Sequence, residues 1–274
     1  MNPFSTLSAL WPAISDASTR WQDAIGKLDA AELEQAETDP AGEGVDYHLV
    51  DVRDQAKRSR YRPSKRRRAL GLPGRIKRTA YPPVDLSKRR VVLVIHQMGV
   101  VRTPAQLRRR AKLVTAQEVW GDGAVYIVHP DETHLIASNR FDREPYHSIN
   151  FEFAGNFEGV AGSGRFFKPE QLGRSRMSAA WAQATSSRLT DKIGELRRRG
   201  IEPFMIAPHR VAGRDQDGNP NRQICCGSAQ WKIAESVAAV CNVPVPGDDY
   251  QIGGLPIPAA WRSKFYAECR TVDA

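Results

Sequence analysis

The sequence predicts an α/β fold, a central mixed β-sheet flanked by helices, with an N-terminal helical and basic extension. Two observations carry this. Short apolar or alternating strand-like runs, at 91–95, 124–128, 148–154 and 204–207, are interleaved with longer helix-compatible stretches, the order that packs helices on a sheet. The charge is also segregated: from Arg53 to Arg90 there are fifteen Lys or Arg against two acids, so the net +9 of the chain belongs to one segment and the remainder is slightly acidic.

Taken in order, residues from about 14 to 36 carry Trp21, Ile25, Leu28 and Leu33 at helical spacing among Ala and acidic residues, and stop at Asp39-Pro40-Ala41-Gly42. The stretch Lys57 through Arg68 is too charged to bury, and Pro63, Pro73, Pro82 and Pro83 oppose regular structure, which predicts an exposed arm. Val91-Val92-Leu93-Val94-Ile95 is a continuous β-branched run and predicts a buried central strand ending at His96. Pro104 opens a basic helical stretch to about Trp120, and Gly121-Asp122-Gly123 supplies a turn before the strand at 124–128. Ser148 to Ala154 alternates like a third strand. A long helix is expected over about 174–198, stopped by Gly200, then an apolar strand from Phe204 that leads to His209. The last helix is expected over about 228–240, with Ser228 as its N-cap. The expected organisation is an extension at 1–69, a main domain at 70–262 and a tail at 263–274.

Hydrophobic residues make up 41% and charged residues 26%, ordinary soluble usage that excludes disordered and fibrous classes. No stretch approaches the roughly 18 apolar residues that span a bilayer, and the start lacks a basic segment followed by an apolar run, so neither a membrane span nor export by the common route is expected. Of the four cysteines, Cys225 and Cys226 are adjacent, where a mutual disulfide would be strained, so reduced or metal-bound thiols are expected. Cys241 and Cys269 read as buried or incidental thiols.

His96 and His209 each follow an apolar strand, and Cys225 and Cys226 lie in a loop before a helix. Rigid strand ends suit metal ligands. Two imidazoles and one thiolate would leave the fourth tetrahedral position of zinc to water, the pattern of a catalytic site. A histidine at a strand end is more often an ordinary hydrogen-bonded residue, and spacing alone leaves both readings open. His134 and His147 read as ordinary hydrogen-bonding histidines, and Trp120, Trp181 and Trp231 as core residues rather than sugar platforms.

Five motifs in succession carry a resemblance: Val91 through Gln97, Val128-His129-Pro130-Asp131-Glu132-Thr133, Ser148-Ile149-Asn150-Phe151-Glu152, Ala207-Pro208-His209-Arg210, and Cys225-Cys226-Gly227. In that order they resemble the zinc amidase family of phage amidases, bacterial muramoyl-alanine amidases and peptidoglycan-recognition proteins. The stretches Asn156-Phe157-Glu158-Gly159-Val160 and Ser228-Ala229-Gln230-Trp231 are similar to actinobacterial-phage amidase domains, and the likeness covers roughly residues 70 to 260.

The resemblance implies an amidase-like sheet, a Zn2+ cofactor held by His96, His209 and Cys225, and cleavage of the amide between N-acetylmuramic acid and L-alanine. It implies Glu152 as the general base for a zinc-activated water. Cys226 stands where the family has proline, so the choice between the adjacent thiols stays open. The family's second-strand Tyr-His pair is replaced by Ala124 and Val125, and its lysine before the third ligand by Gln223, with Arg222 the nearest cation and the candidate for stabilising the oxyanion.

A phage endolysin made in the host bacterial cytoplasm and acting on the cell wall is the implied setting, with peptidoglycan as partner. The basic arm would suit anionic cell-envelope polymers. With only Tyr61 and Tyr81 interleaved, it is poor in the aromatic residues that stack on bases, which disfavours nucleic acid. The competing readings are a catalytically silent peptidoglycan-binding protein and a basic nucleic-acid-associated protein, the latter predicting binding that survives loss of His96, His209 and Cys225. The segment from Val211 to Pro220, rich in Gly, Asp and Asn, is either a substrate-facing loop or a plain surface turn.

Overall fold

A computed structural model describes residues 47–53, 83–98, 107, 116–121, 124–135, 140–155, 179–212 and 225–273. The helix expected over 14–36, the basic arm at 57–68, Arg222 and Gln223 lie outside the described residues, as does most of the helix expected from Pro104.

The centre of the molecule is built on the apolar run after Arg90. Strand β2 (Arg90–Gln97) buries Val91 through Ile95 completely, because it has a parallel partner on each side and side chains packed on both faces. With β1 (His48–Asp51), β3 (Glu118–Gly121), β4 (Ala124–Ile127), β5 (Tyr146–Phe153) and β6 (Met205–Pro208) it forms a six-stranded sheet in the order β1-β4-β3-β5-β2-β6. The β3–β4 pair is antiparallel and all other pairs are parallel, so the sheet is mixed. The expected α/β class is what the chain adopts.

Two longer helices cover one face. Helix α1 (Ala179–Arg198) presents Leu189, Ile193 and Leu196 on one stripe, and Gly200 at φ +75° ends it in the left-handed region that only glycine enters cheaply. After β6 comes a single turn, α2 (His209–Ala212), and then α3 (Ser228–Cys241), which buries Trp231, Ala234, Val237 and Ala238. These side chains join Trp120, Phe151, Phe153 and the Leu93 side of β2 in the main core. Trp120 and Trp231 are core residues, as expected.

Because successive strand residues point to opposite faces, Phe151 and Phe153 on the helical side put Asn150 and Glu152 on the other. There a smaller cluster forms from Val52, Leu107, Val119, Tyr126, Val128 and Ala154. Among the described residues no helix is long and apolar enough to cross a membrane.

Two expectations are corrected, and two strand pairings involve residues outside the expected main domain. Glu118–Gly121 is a strand rather than the end of a helix, because Val119 and Trp120 pair with both β4 and β5. The N-cap of α3 is Gly227, at φ +92°, and Ser228 is the first helical residue; no side chain caps the helix. At the N-terminal side, His48–Asp51 lies within the stretch expected as extension yet forms the sheet's edge through parallel pairing with β4. Within the expected tail, β8 (Thr271–Val272) pairs with β7 (Val245–Pro246), and Tyr266 packs on the core.

Candidate metal centre

Strands β5, β2 and β6 are parallel neighbours, so their carboxyl ends emerge at one edge of the sheet, where open parallel sheets gather functional groups. His96 is the penultimate residue of β2, and His209 follows Pro208, the last residue of β6. Glu152 is directly opposite His96 in the β2–β5 register. Cys225 enters from the loop before α3.

One ligand atom from each of His96, His209 and Cys225 lies within 4.8 Å of the others, and all three residues are buried. Among the described residues they are the one group of three or more His, Cys, Asp or Glu so gathered. The two imidazole rings lie 4.4 Å apart at 42°. Of the adjacent cysteines, Cys225 is the one brought to the histidines, while the Cys226 sulfur contacts Gly227 O at 3.7 Å.

The loop positions are fixed by backbone bonds. Gln97 N donates to Cys225 Sγ at 3.3 Å and Arg210 N to Cys225 O at 2.9 Å, tying the thiol to the ends of β2 and α2. Segment 252–256 braces α2 from outside: Ile252 N donates to Val211 O, Leu255 N to Arg210 O, and Arg210 Nε to Pro256 O at 2.6 Å. Gly254 passes so close to Arg210 O and Val211 that a Cβ there would collide with backbone.

Burial, and then the neighbouring His209, hold the His96 imidazole well below its usual pKa, against the hydrogen bond that Asn150 Oδ1 accepts from it. Burial pushes the Cys225 thiol up, and the nearby Glu152 carboxylate adds to the rise, against the Gln97 N–H. A divalent cation suits this arrangement: it requires neutral imidazole, and its charge favours the thiolate that burial disfavours. Two imidazole nitrogens and one sulfur form a donor set matched to zinc, with one tetrahedral position to spare. These residues fit the ion.

His134 and His147 stand apart from this group. Their rings are 6.4 Å from each other, and His147 Nε2 bonds the Asp131 carbonyl at 2.7 Å, the ordinary role expected for it. The residue that sequence reasoning passed over is Asn150, whose Oδ1 lies 2.9 Å from His96 Nε2. Its signal was available: it precedes Glu152 by two positions on an alternating strand, and so shares its face.

No protein-family model matches the chain, and no curated protein matches it. Three solved structures are similar in part. The ectodomain of the Drosophila transmembrane receptor PGRP-LCa is 14% identical, covers 59% of this chain and 84% of its own, and has a TM-score of 0.34. The endolysin N-acetylmuramoyl-L-alanine amidase LysCS from Clostridium intestinale is 8% identical over 56% of this chain and 79% of its own, with a TM-score of 0.31. The Staphylococcus aureus hydrolase AmiA is 9% identical over 88% and 86%, also with a TM-score of 0.31.

Proposed function

We propose that this chain is a zinc-dependent N-acetylmuramoyl-L-alanine amidase, a peptidoglycan hydrolase of the phage endolysin type. The observation that carries the reading is the convergence of His96, His209 and Cys225 at the strand ends, with Glu152 level with His96. The ordered motifs around these residues support it independently.

When bound, Zn2+ supplies a Lewis acid for the scissile carbonyl and makes water acidic enough to act as a nucleophile near neutral pH. Glu152 takes the proton from the attacking water and returns it to the leaving amine of L-alanine, which a carboxylate on a rigid strand beside the metal is placed to do. Arg222 is proposed to stabilise the developing oxyanion, and the basic segment from Arg53 to Arg90 to hold the enzyme on anionic cell-envelope polymers. Synthesis in the host bacterial cytoplasm followed by action on the wall completes the reading.

The test is to incubate the protein with purified peptidoglycan, with and without a zinc chelator, and to assay new L-alanine amino termini beside new reducing ends. Chelator-sensitive amino termini without reducing ends support the amidase. Sedimentation with the wall and no release replaces it with a binding protein.

The thiol adds a second check. At pH 8, where ordinary imidazole (pKa about 6.5) is neutral, Zn2+ binding is expected to release one proton from Cys225, beside any given up by water that the ion acidifies. Calorimetry in buffers of different ionisation enthalpy measures this, and Cys225→Ser should lower the number of protons released by about one and remove most of the affinity.

A further inference from the structure

We propose that Asn150 is a positioning residue that locks His96 in the tautomer protonated at Nε2, leaving the Nδ1 lone pair as the one this imidazole offers to a ligand. The inference deepens the metal-centre reading and rests on it for its consequence, though not for its geometry.

A histidine's tautomer follows from the polarity of its partner, and an amide's orientation from the polarity of its own partners in turn. Here the chain of partners ends on backbone groups and a carboxylate, whose polarity is settled. The backbone N–H of Asn150 donates to Gln117 Oε1 at 2.7 Å. The carbonyls of Thr133 and Ser148 accept from Gln117 Nε2 at 3.0 and 3.3 Å. Gln117 can therefore present only its oxygen toward residue 150.

Around the Asn150 amide the same logic holds. Its Nδ2 donates to Gln117 Oε1 at 3.3 Å, to the Ser148 carbonyl at 3.3 Å and to Ser148 Oγ at 2.9 Å. The Ser148 hydroxyl spends its own proton on Asp142 Oδ1 at 2.5 Å, so it accepts from Asn150. With Nδ2 committed there, Oδ1 faces His96 and must accept, which places the proton on Nε2.

Gln117, Asp142, Ser148 and Asn150 are all buried. Water does not compete with the network, and a wrong orientation would leave buried donors facing each other, at about 1–3 kcal/mol for each unsatisfied group. The imidazole is thus oriented before any ligand arrives, the arrangement by which partners behind a metal ligand raise its affinity.

The experiment reads the tautomer directly. Two-bond 15N–1H correlation spectra of metal-free protein labelled at histidine, with His96 assigned by His96→Gln, should show the Nε2–H form. Asn150→Leu, which removes the acceptor, should shift His96 toward Nδ1–H and weaken Zn2+ binding by roughly 10–100-fold. Asn150→Asp, which keeps an acceptor, should restore the Nε2–H form. If Asn150→Leu does not fold, Ser148→Ala, which removes only one Nδ2 acceptor, should still shift the tautomer part of the way.

A wild-type protein with His96 in the Nδ1–H form overturns the proposal, as does an Asn150→Leu protein that keeps both the Nε2–H form and full affinity. A wild-type protein that takes up no Zn2+, yet loses its Nε2–H form on Asn150→Leu, overturns the metal centre and upholds the role of Asn150.

Discussion

Glu152→Gln is expected to retain Zn2+ binding and to lower the release of L-alanine amino termini by 10²–10⁴-fold, the usual contribution of a positioned acid–base group. Glutamine keeps the shape of the strand residue opposite His96 but can neither take a proton from water nor return one to the amine. Because Glu152 is outside the gathered trio, metal affinity should be nearly unchanged. The Cys225 thiol should also ionise more easily in the variant, since the carboxylate that raises its pKa is gone. Parallel zinc titration and hydrolysis assays decide the matter: equal loss of both would make Glu152 a ligand, and loss of neither would remove it from the mechanism.

How much of this was legible in the sequence differs element by element. Strand β2 was plain, because a central parallel strand must be apolar on both faces and five consecutive aliphatic residues have no other cheap placement. Strand β5 was visible through alternation. Strand β1 was hidden: four residues, His-Leu-Val-Asp, beside a strongly basic segment give no pattern, and their strand state comes from pairing with β4. Strand β3 was masked by the helix-compatible residues before it, and tertiary pairing overrode the local preference.

The candidate site divides in the same way. His96 and His209 stood out because each follows an apolar run, and Glu152 because the motif Ser148-Ile149-Asn150-Phe151-Glu152 resembles the strand that carries the amidase family's acid. The choice between Cys225 and Cys226 depends on the path of a loop tied by Gln97 N and Arg210 N, which no local pattern encodes. The partnership of Asn150 with Gln117 spans 33 residues and two strands. Local periodicity states which face a residue occupies; it does not state which side chain arrives opposite.

Glu118→Gln is expected to destabilise the fold by about 3–5 kcal/mol, the cost of stranding a buried charge. Glu118 is fully buried on the α1 side of β3, and four donors converge on its two oxygens. Trp120 Nε1 bonds Oε2 at 2.8 Å, Arg188 Nε bonds Oε2 at 3.1 Å, Arg188 Nη2 bonds Oε1 at 2.5 Å, and Lys192 Nζ lies 2.9 Å from Oε1. Glutamine would turn an NH2 toward donors and leave the two cations short of one negative charge. Asp131, 3.0 Å from Lys192, and Glu195, 2.6 Å from Arg188, keep them partly paired, which favours the lower end of the range. Glu195→Gln, whose side chain is 35% exposed, should cost no more than about 1 kcal/mol.

The pH dependence separates this account from a simple packing defect. Burial would raise the Glu118 carboxyl, but the charge of Lys192 and the bonds and charge of Arg188 outweigh it and hold the pKa below its ordinary value. A depressed carboxyl contributes stability that is complete above the unfolded-state pKa, about 4.3, and is lost as pH falls through the folded-state value. Urea unfolding should therefore show the wild-type advantage over Glu118→Gln at neutral pH and its decline below about pH 4. A gap that stayed constant into acid would instead assign the loss to shape alone.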